Sequence, residues 1–437
     1  MVGAARRNFL SIWTAKSFSR PLDYINVLRR QVVICNNPRF VQEAFVKKHA
    51  NFQRKTPQMR MALQPLLGDG LFVSDQEVWQ RRRKIVAPII HTSRLRDFAP
   101  VMIETACEKR AEWRGRGDGA AIDALAEMAH LTAEIICRTI FGRDLGQTYA
   151  AEIVEAFSDY QRHVDQIDLP SMLGLPEWLP RWRGRAVKRS VRRIHAVLDE
   201  IIDGYAARQS NGESSVIGGL LDARDDDGKP LGKDAIRNEA AVIFMAGHET
   251  TANTMAWAWF LLSQAPWAAN RLHTELDTVL GGRVPRLDDV PQFPYTRAII
   301  EETLRLYPPV PILGREAMAA DRFGNTEVRK GALVLVVPWL LHRNPTLWSK
   351  PDHFMPERFL PGGDGANQSK YGYVPFSIGP RICAGLAFGL NEAILCLAVL
   401  AQEFALDLAP GKVVEPVCRL TLRPGDRLPM TLHPRKP

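Results

Sequence analysis

No run of apolar residues approaches the roughly 20 that a bilayer-crossing helix needs. The longest, Ala332 to Leu341, is broken by Pro338. A secretory leader is also missing, because Arg6 and Arg7 precede only Phe9-Leu10-Ser11-Ile12-Trp13. A cytoplasmic protein is therefore expected. Cysteine is scarce, with six residues and no Cys-x-x-Cys pair, which argues against zinc, iron–sulfur clusters and a disulfide framework. The 31 Gly and 30 Pro follow no period, so collagen-like and low-complexity classes are excluded. What remains is a chain of 437 residues, 46% hydrophobic and 24% charged, enough to bury a full core. Its net charge of +9 bears on partners and not on fold.

Hydrophobic periodicity predicts many helices and few strands. Helices are expected at 40–48, 78–87, 95–113, 122–141, 151–164, 185–207, 267–280, 295–306 and 386–403, with a long one from Asp234, its expected cap, to Leu262. Strands are expected at 31–35, 312–317, 328–337 and towards the C-terminus. The polar stretch 209–232 reads as a surface connection, and 344–382 as a long Pro- and Gly-containing segment. No repeat or dividing linker is visible. The fold class expected is mainly α with small β-sheets, in one large domain.

The most informative segment is Phe376-Ser-Ile-Gly-Pro-Arg-Ile-Cys-Ala-Gly385. Here a cysteine sits in a Gly/Pro loop that opens onto a helix, two residues after Arg381. Helix-start amides and a nearby cation favour thiolate, so Cys383 suits a nucleophile or a metal ligand. Gly379 and Gly385 allow close approach of the backbone to a flat object. A merely buried cysteine is the bland alternative, and the ten-residue arrangement outweighs it.

This loop, Phe376-x-x-Gly379-x-Arg381-x-Cys383-x-Gly385, resembles the heme-binding loop of the cytochrome P450 superfamily at every fixed position. Three further motifs follow the family's order and spacing. Ala246-Gly-His-Glu-Thr-Thr251 resembles the oxygen-binding helix, Glu302-Thr-Leu-Arg305 the Glu-x-x-Arg helix, and Pro356-Glu-Arg-Phe359 the segment that completes it. The resemblance spans nearly the whole chain. It implies heme b with Cys383 as axial thiolate, O2 as co-substrate, and a monooxygenase that inserts one oxygen atom into a C–H or double bond. Cysteine thiolate ligation favours O–O cleavage, for which the family is the standing example.

Ala246 and Gly247 lack bulk in the middle of an apolar helix, where Gly is otherwise unfavourable; a gap there admits a diatomic molecule. Glu249 and Thr250 supply the carboxylate and hydroxyl of a proton relay. Close helix packing and a satisfied buried acid are the plainer readings of Gly247 and Glu249. His248-Glu249 does not extend to a zinc helix, since position 252 is Ala. Glu302 and Arg305 share a helix face; by resemblance they are buried with Arg358 and play a structural role. Trp79 and Arg83 also share a face and, with Arg315 and Arg381, are implied to hold the heme propionates. His91 stands where the family commonly has Phe.

The resemblance places substrate contacts at 56–72, 157–164, 244–250, 310–313 and 420–421. Leu66, Phe72, Phe244, Val310, Ile312, Leu313, Leu420 and Thr421 make this set largely apolar, although such residues serve equally well in a core. A small apolar substrate is expected: a fatty acid, terpenoid, steroid or aromatic. The stretch after Cys383 is too short for a reductase domain, so electrons, and NAD(P)H only indirectly, are expected through a ferredoxin or flavodoxin with its reductase. Arg81, Arg82 and Lys84 would suit an acidic donor. The basic segment 181–193, with Trp178 and Trp182 nearby, suits peripheral membrane contact, although a solvated helix face is the plainer reading. A monomer is expected, without nucleic acid. A peroxide-driven or isomerising heme-thiolate enzyme is one alternative, and a non-catalytic heme sensor or carrier another.

Overall fold

The computed structural model describes residues 8–164, 173, 184–207, 215–365, 368–418 and 420–435. It is mostly helical, with four small sheets. Its centre is the helix Lys233–Gln264, buried over most of its length and packed against Ala124–Phe141. Such all-round apolarity marks a core helix and not a surface one. The helix Leu386–Ala401 packs against it and is buried along most of its length. One large apolar cluster joins these helices to Leu95–Arg116, Arg185–Ala207 and Pro294–Leu306.

A five-stranded sheet lies to one side, in the order Leu22–Val27, Arg30–Cys35, Leu333–Val336, Leu313–Glu316, Arg54–Lys55. Only the second and third of these pair in parallel. A three-stranded sheet joins Ala120–Asp123, Pro429–Pro434 and Phe404–Leu408.

Several boundaries differ from the sequence expectations, and tertiary pairing supplies the reason. The helix expected at 122–141 begins at Ala124, because 120–123 pairs as a strand with the C-terminal strand. Asp123 caps it, accepting from Leu125 N at 3.2 Å. The long helix starts at Lys233 after Gly232, not at Asp234, which instead pairs with Arg237 in the first turn. Segment 40–48 divides into Pro38–Gln42 and a π-turn, Glu43–Lys47. The helix Pro57–Leu67, with Thr56 as cap, was not expected; its interior Pro65 hides the pattern. The 209–232 connection contains the helix Val216–Asp222, capped by Ser215. Its residues 209–214 and much of 165–183 lie outside the described residues, so Trp178, Trp182 and Arg181 do as well.

Candidate functional site: a cysteine loop facing the long helix

The loop carrying Cys383 is shaped by its own backbone. Cys383 N donates to the Phe376 carbonyl at 2.9 Å, and Ile382 N to that of Gly379 at 3.0 Å. Gly379 has φ +77, and a Cβ there would collide with the carbonyl oxygen of Phe45 in the π-turn. That glycine therefore permits loop-to-turn contact, and not approach to a flat object. Gly385 differs: nothing lies within 4 Å of where its Cβ would be, so it has open space beside it.

Cys383 is exposed, whereas four of the other five cysteines are buried. Yet burial pushes its thiol up, against the opposing effects of the Gly385 N–H, Arg83 and Lys55. The sulfur is thus surface-accessible although protein crowds around it. The local groups favour thiolate as the sequence implied, but desolvation outweighs them. Arg381 is not among the groups acting on the sulfur.

Directly relevant is the long helix, where Ala246 is exposed within an otherwise buried stretch. The Thr250 hydroxyl donates to the Ala246 carbonyl at 2.7 Å, and this bond too is exposed. Gly247 is turned elsewhere: an added Cβ would lie 2.8 Å from Ile136 Cδ1. The gap in bulk thus belongs to Ala246, and Gly247 serves helix packing. Glu249 is buried and fully engaged. Thr421 donates to it at 2.7 Å, and Gln161 and Arg423 hold it as well.

The surroundings of the cysteine loop form a strongly basic rim. Arg315 is buried, with its guanidinium over the Phe45 ring, and desolvation lowers it to about 10. Arg381 donates to the carbonyls of Gln53 and Ser74, each at 2.6 Å, and lies 4.9 Å from the Trp79 ring centroid. Burial and Arg315 bring Arg381 down to about 9. Half-buried Arg83 is lowered by desolvation. Lys55, buried against Phe72, is lowered by burial and by Arg315 and Arg381. Buried cations ordinarily come with carboxylates. Among the described residues, no carboxylate forms an ion pair with any of these four. His49 joins them, 5.8 Å from Trp79, with its buried Nε2 lacking a hydrogen-bond partner.

Four under-neutralised cations, an orphaned imidazole nitrogen and an enclosed cysteine fit a flat, doubly anionic macrocycle ligated through sulfur. Lys55 and His49 were missed in the sequence. Each stands alone there without a motif, and only their convergence on Arg315 and Arg381 exposes them.

Behind the loop, Glu302, Arg305 and Arg358 are fully buried or nearly so. Arg305 pairs with Glu302 at 2.7 and 2.8 Å and donates to the carbonyls of His342, Pro351 and His353. Glu302 Oε1 also accepts from Met355 N at 2.9 Å and Arg358 Nε at 3.3 Å. His342 Nε2 accepts from Val374 N, just before the cysteine loop. The trio thus fixes 342–374 and, through it, the loop.

The apolar candidates divide. Leu66 and Phe244 are wholly buried, and Phe244 stacks on His248 and touches Phe157. Leu313 is buried in a strand; Phe72, Val310, Ile312 and Leu420 retain partial exposure. Arg82 departs from its expected role. Its side chain is only 12% exposed and pairs with Asp69 and the buried Glu239, while Lys84 pairs with Asp226.

These features are those of a site suited to a heme, with a cysteine loop at its edge. The family model described as Cytochrome P450 matches residues 7–427, and the chain belongs to that family. Cyclooctatin synthase of Streptomyces melanosporofaciens is 34% identical, over 93% of this chain and 87% of its own. Cytochrome P450 4V2 of Rattus norvegicus is 30% identical, over 79% and 70%. Two solved structures superpose with a TM-score of 0.84 at 26% identity: the cytochrome P450DA heme domain, over 95% of this chain and 90% of that one, and retinoic acid-bound cyanobacterial CYP120A1, over 95% and 92%. No described helix is long and apolar enough to cross a membrane.

Proposed function

We propose that this monooxygenase holds heme b through Cys383 and oxidises a small apolar molecule, with electrons delivered by a separate protein. The observation that carries the reading is the enclosed Cys383 sulfur beneath a rim of unpaired cations. Bound there, the heme supplies oxygen activation. The residues of this chain do the rest. Arg83, Arg315, Arg381, Lys55 and His49 bind the propionates, with Trp79 packed beneath Arg381. Thr250 and Ala246 border the oxygen side, where the Thr250 hydroxyl holds a proton next to the site. Glu249 stands next in the line, clasped by Thr421, Gln161 and Arg423.

The substrate class is read from the partly exposed apolar set Phe72, Val310, Ile312 and Leu420, and from relatives of which one is named for cyclooctatin and one holds retinoic acid. Terpenoids are therefore the first compounds to test, ahead of fatty acids, steroids and aromatics. A ferredoxin or flavodoxin remains the proposed donor. Arg81 is exposed and, among the described residues, has no carboxylate partner, so it replaces Arg82 as a docking cation.

Titration of the heme-loaded protein with these compounds tests the reading. A terpenoid that moves the heme band to the high-spin form supports it. A thiolate-type spectrum that no apolar compound moves removes the apolar-substrate reading, and a thiolate-type spectrum retained in Cys383→Ala removes the ligand assignment.

A further inference from the structure

Three exposed large apolar side chains gather at one place. The hairpin of Leu22–Val27 and Arg30–Cys35 forms an edge of the five-stranded sheet. It leaves Tyr24, Ile25 and Leu28 exposed by 56%, 46% and 58%. Because Val27 pairs with Arg30, Leu28 and Arg29 alone make the turn. Leu28 has φ +55. Two-residue hairpin turns usually give such positions to Gly, Asn or Asp. A leucine there is costly twice over, once in backbone conformation and once in exposed apolar surface. A strained, exposed residue of this kind points to a function outside the fold.

Charge supplies the second, independent observation. Arg29 lines a cleft of about 390 Å³ whose walls include Arg329, Lys330 and Leu173, itself 45% exposed. Neighbouring Arg30 pairs with Glu316. Arg29, Arg329 and Lys330 are exposed and, among the described residues, form no ion pair. The acid nearest in sequence, Glu327, pairs with Arg322 instead. Gln31 fixes the Arg329 stretch, accepting from Arg329 N and donating to the Glu327 carbonyl. The cations are thus displayed on a braced rim beside the apolar turn.

We propose that this rim docks on the anionic surface of a lipid bilayer. Leu28 and Ile25 enter the headgroup region, and Arg29, Arg329 and Lys330 face lipid phosphate. Apolar insertion and cation attraction are the two ingredients of interfacial binding, and they are adjacent here. An acidic protein would use the cations but gives no reason for a leucine at a strained turn. The proposal is independent of the substrate and of turnover.

Sedimentation of the heme-loaded full chain with vesicles tests it, using phosphatidylcholine alone and with 30% phosphatidylglycerol. Binding is expected only to the anionic vesicles and should weaken with salt. Leu28→Asn should reduce partitioning by roughly tenfold while raising Tm, because Asn tolerates positive φ. Opposite signs of the two effects separate lost docking from lost folding. Arg329→Gln with Lys330→Gln should cost about fivefold per charge. Equal binding to both vesicle types, or binding unchanged in both variants, overturns the proposal. So does an acidic redox protein that binds here while vesicles do not.

Discussion

Thr421 and Glu249 are 172 positions apart, and the Thr421 hydroxyl donates to Glu249 Oε1 at 2.7 Å. Arg423 pairs with the same oxygen. Asn253, one helical turn beyond Glu249, donates to the Thr421 hydroxyl at 3.2 Å. The stretch 421–423 is thereby latched to the long helix at Glu249. Trp257 Nε1 extends the latch by donating to the Leu422 carbonyl. A residue first placed among substrate contacts thus also orients the acid of the proposed proton relay.

Removal of the cation from this latch should affect proton delivery more than folding. Arg423→Gln leaves Glu249 with neutral donors only and loosens the clasp that orients it. The expected result is a several-fold fall in product formed per reductant consumed. Arg423→Lys should recover part of it. A lower Tm with unchanged coupling would reduce the latch to a structural contact.

The buried trio predicts a large stability loss. Glu302→Gln leaves Arg305 and Arg358 without their shared carboxylate inside the protein. Breaking a buried pair in this way costs about 3–5 kcal/mol. Denaturant unfolding and the heme-to-protein ratio should both fall, because the trio anchors the segment that leads to Cys383.

The two loop glycines should behave differently. Gly379→Ala forces a side chain onto the Phe45 carbonyl at φ +77, with a strain cost of about 2 kcal/mol or more. Lower Tm and poor heme retention are expected. Gly385→Ala meets open space and has φ −90, so its effect should be confined to heme affinity. Equal Tm losses in the two variants would contradict this division.

Stability should fall as the pH rises from 7 to 8.5. Glu392 is buried, neither carboxyl oxygen makes a hydrogen bond of ordinary length, and burial pushes it up to about 8, with Thr251 offsetting only part. Its proton is held more tightly in the folded chain than in the unfolded one. The resulting stability is complete below the unfolded carboxyl range and is lost as pH passes through 8. Glu239, raised to about 7 by burial, acts in the same sense at slightly lower pH. His248 and His342, lowered to about 4 and 3 by burial, are already neutral in this window. Glu392→Gln should flatten the decline in Tm; an unchanged slope would assign it to other groups.

The sequence carried the family because its motifs are local. The Cys383 loop, Ala246–Thr251, Glu302–Arg305 and Pro356–Phe359 each set a turn or a helix face within ten residues, and short-range sterics are readable from residue order. Helix interiors were legible for the same reason. Boundaries were less so, since Ala120–Asp123 becomes a strand only through pairing with a segment some 300 residues away. His91, unexplained in sequence, caps a short helix by accepting from Ser93 N at 3.3 Å.

By itself, then, the order of residues determined the fold class, the presence of a cysteine in a Gly/Pro loop before a helix, and the acid–alcohol pair on the long helix. Only the tertiary structure decided which side chains share the site. It drew Lys55 and His49 to the basic rim, turned Gly247 towards Ile136, tied Arg82 to Asp69 and Glu239, and brought Thr421 and Arg423 onto Glu249. Those outcomes depend on burial and on charges meeting across long stretches of chain. Desolvation and Coulomb energies are set by distance in space, and distance along the sequence does not report it.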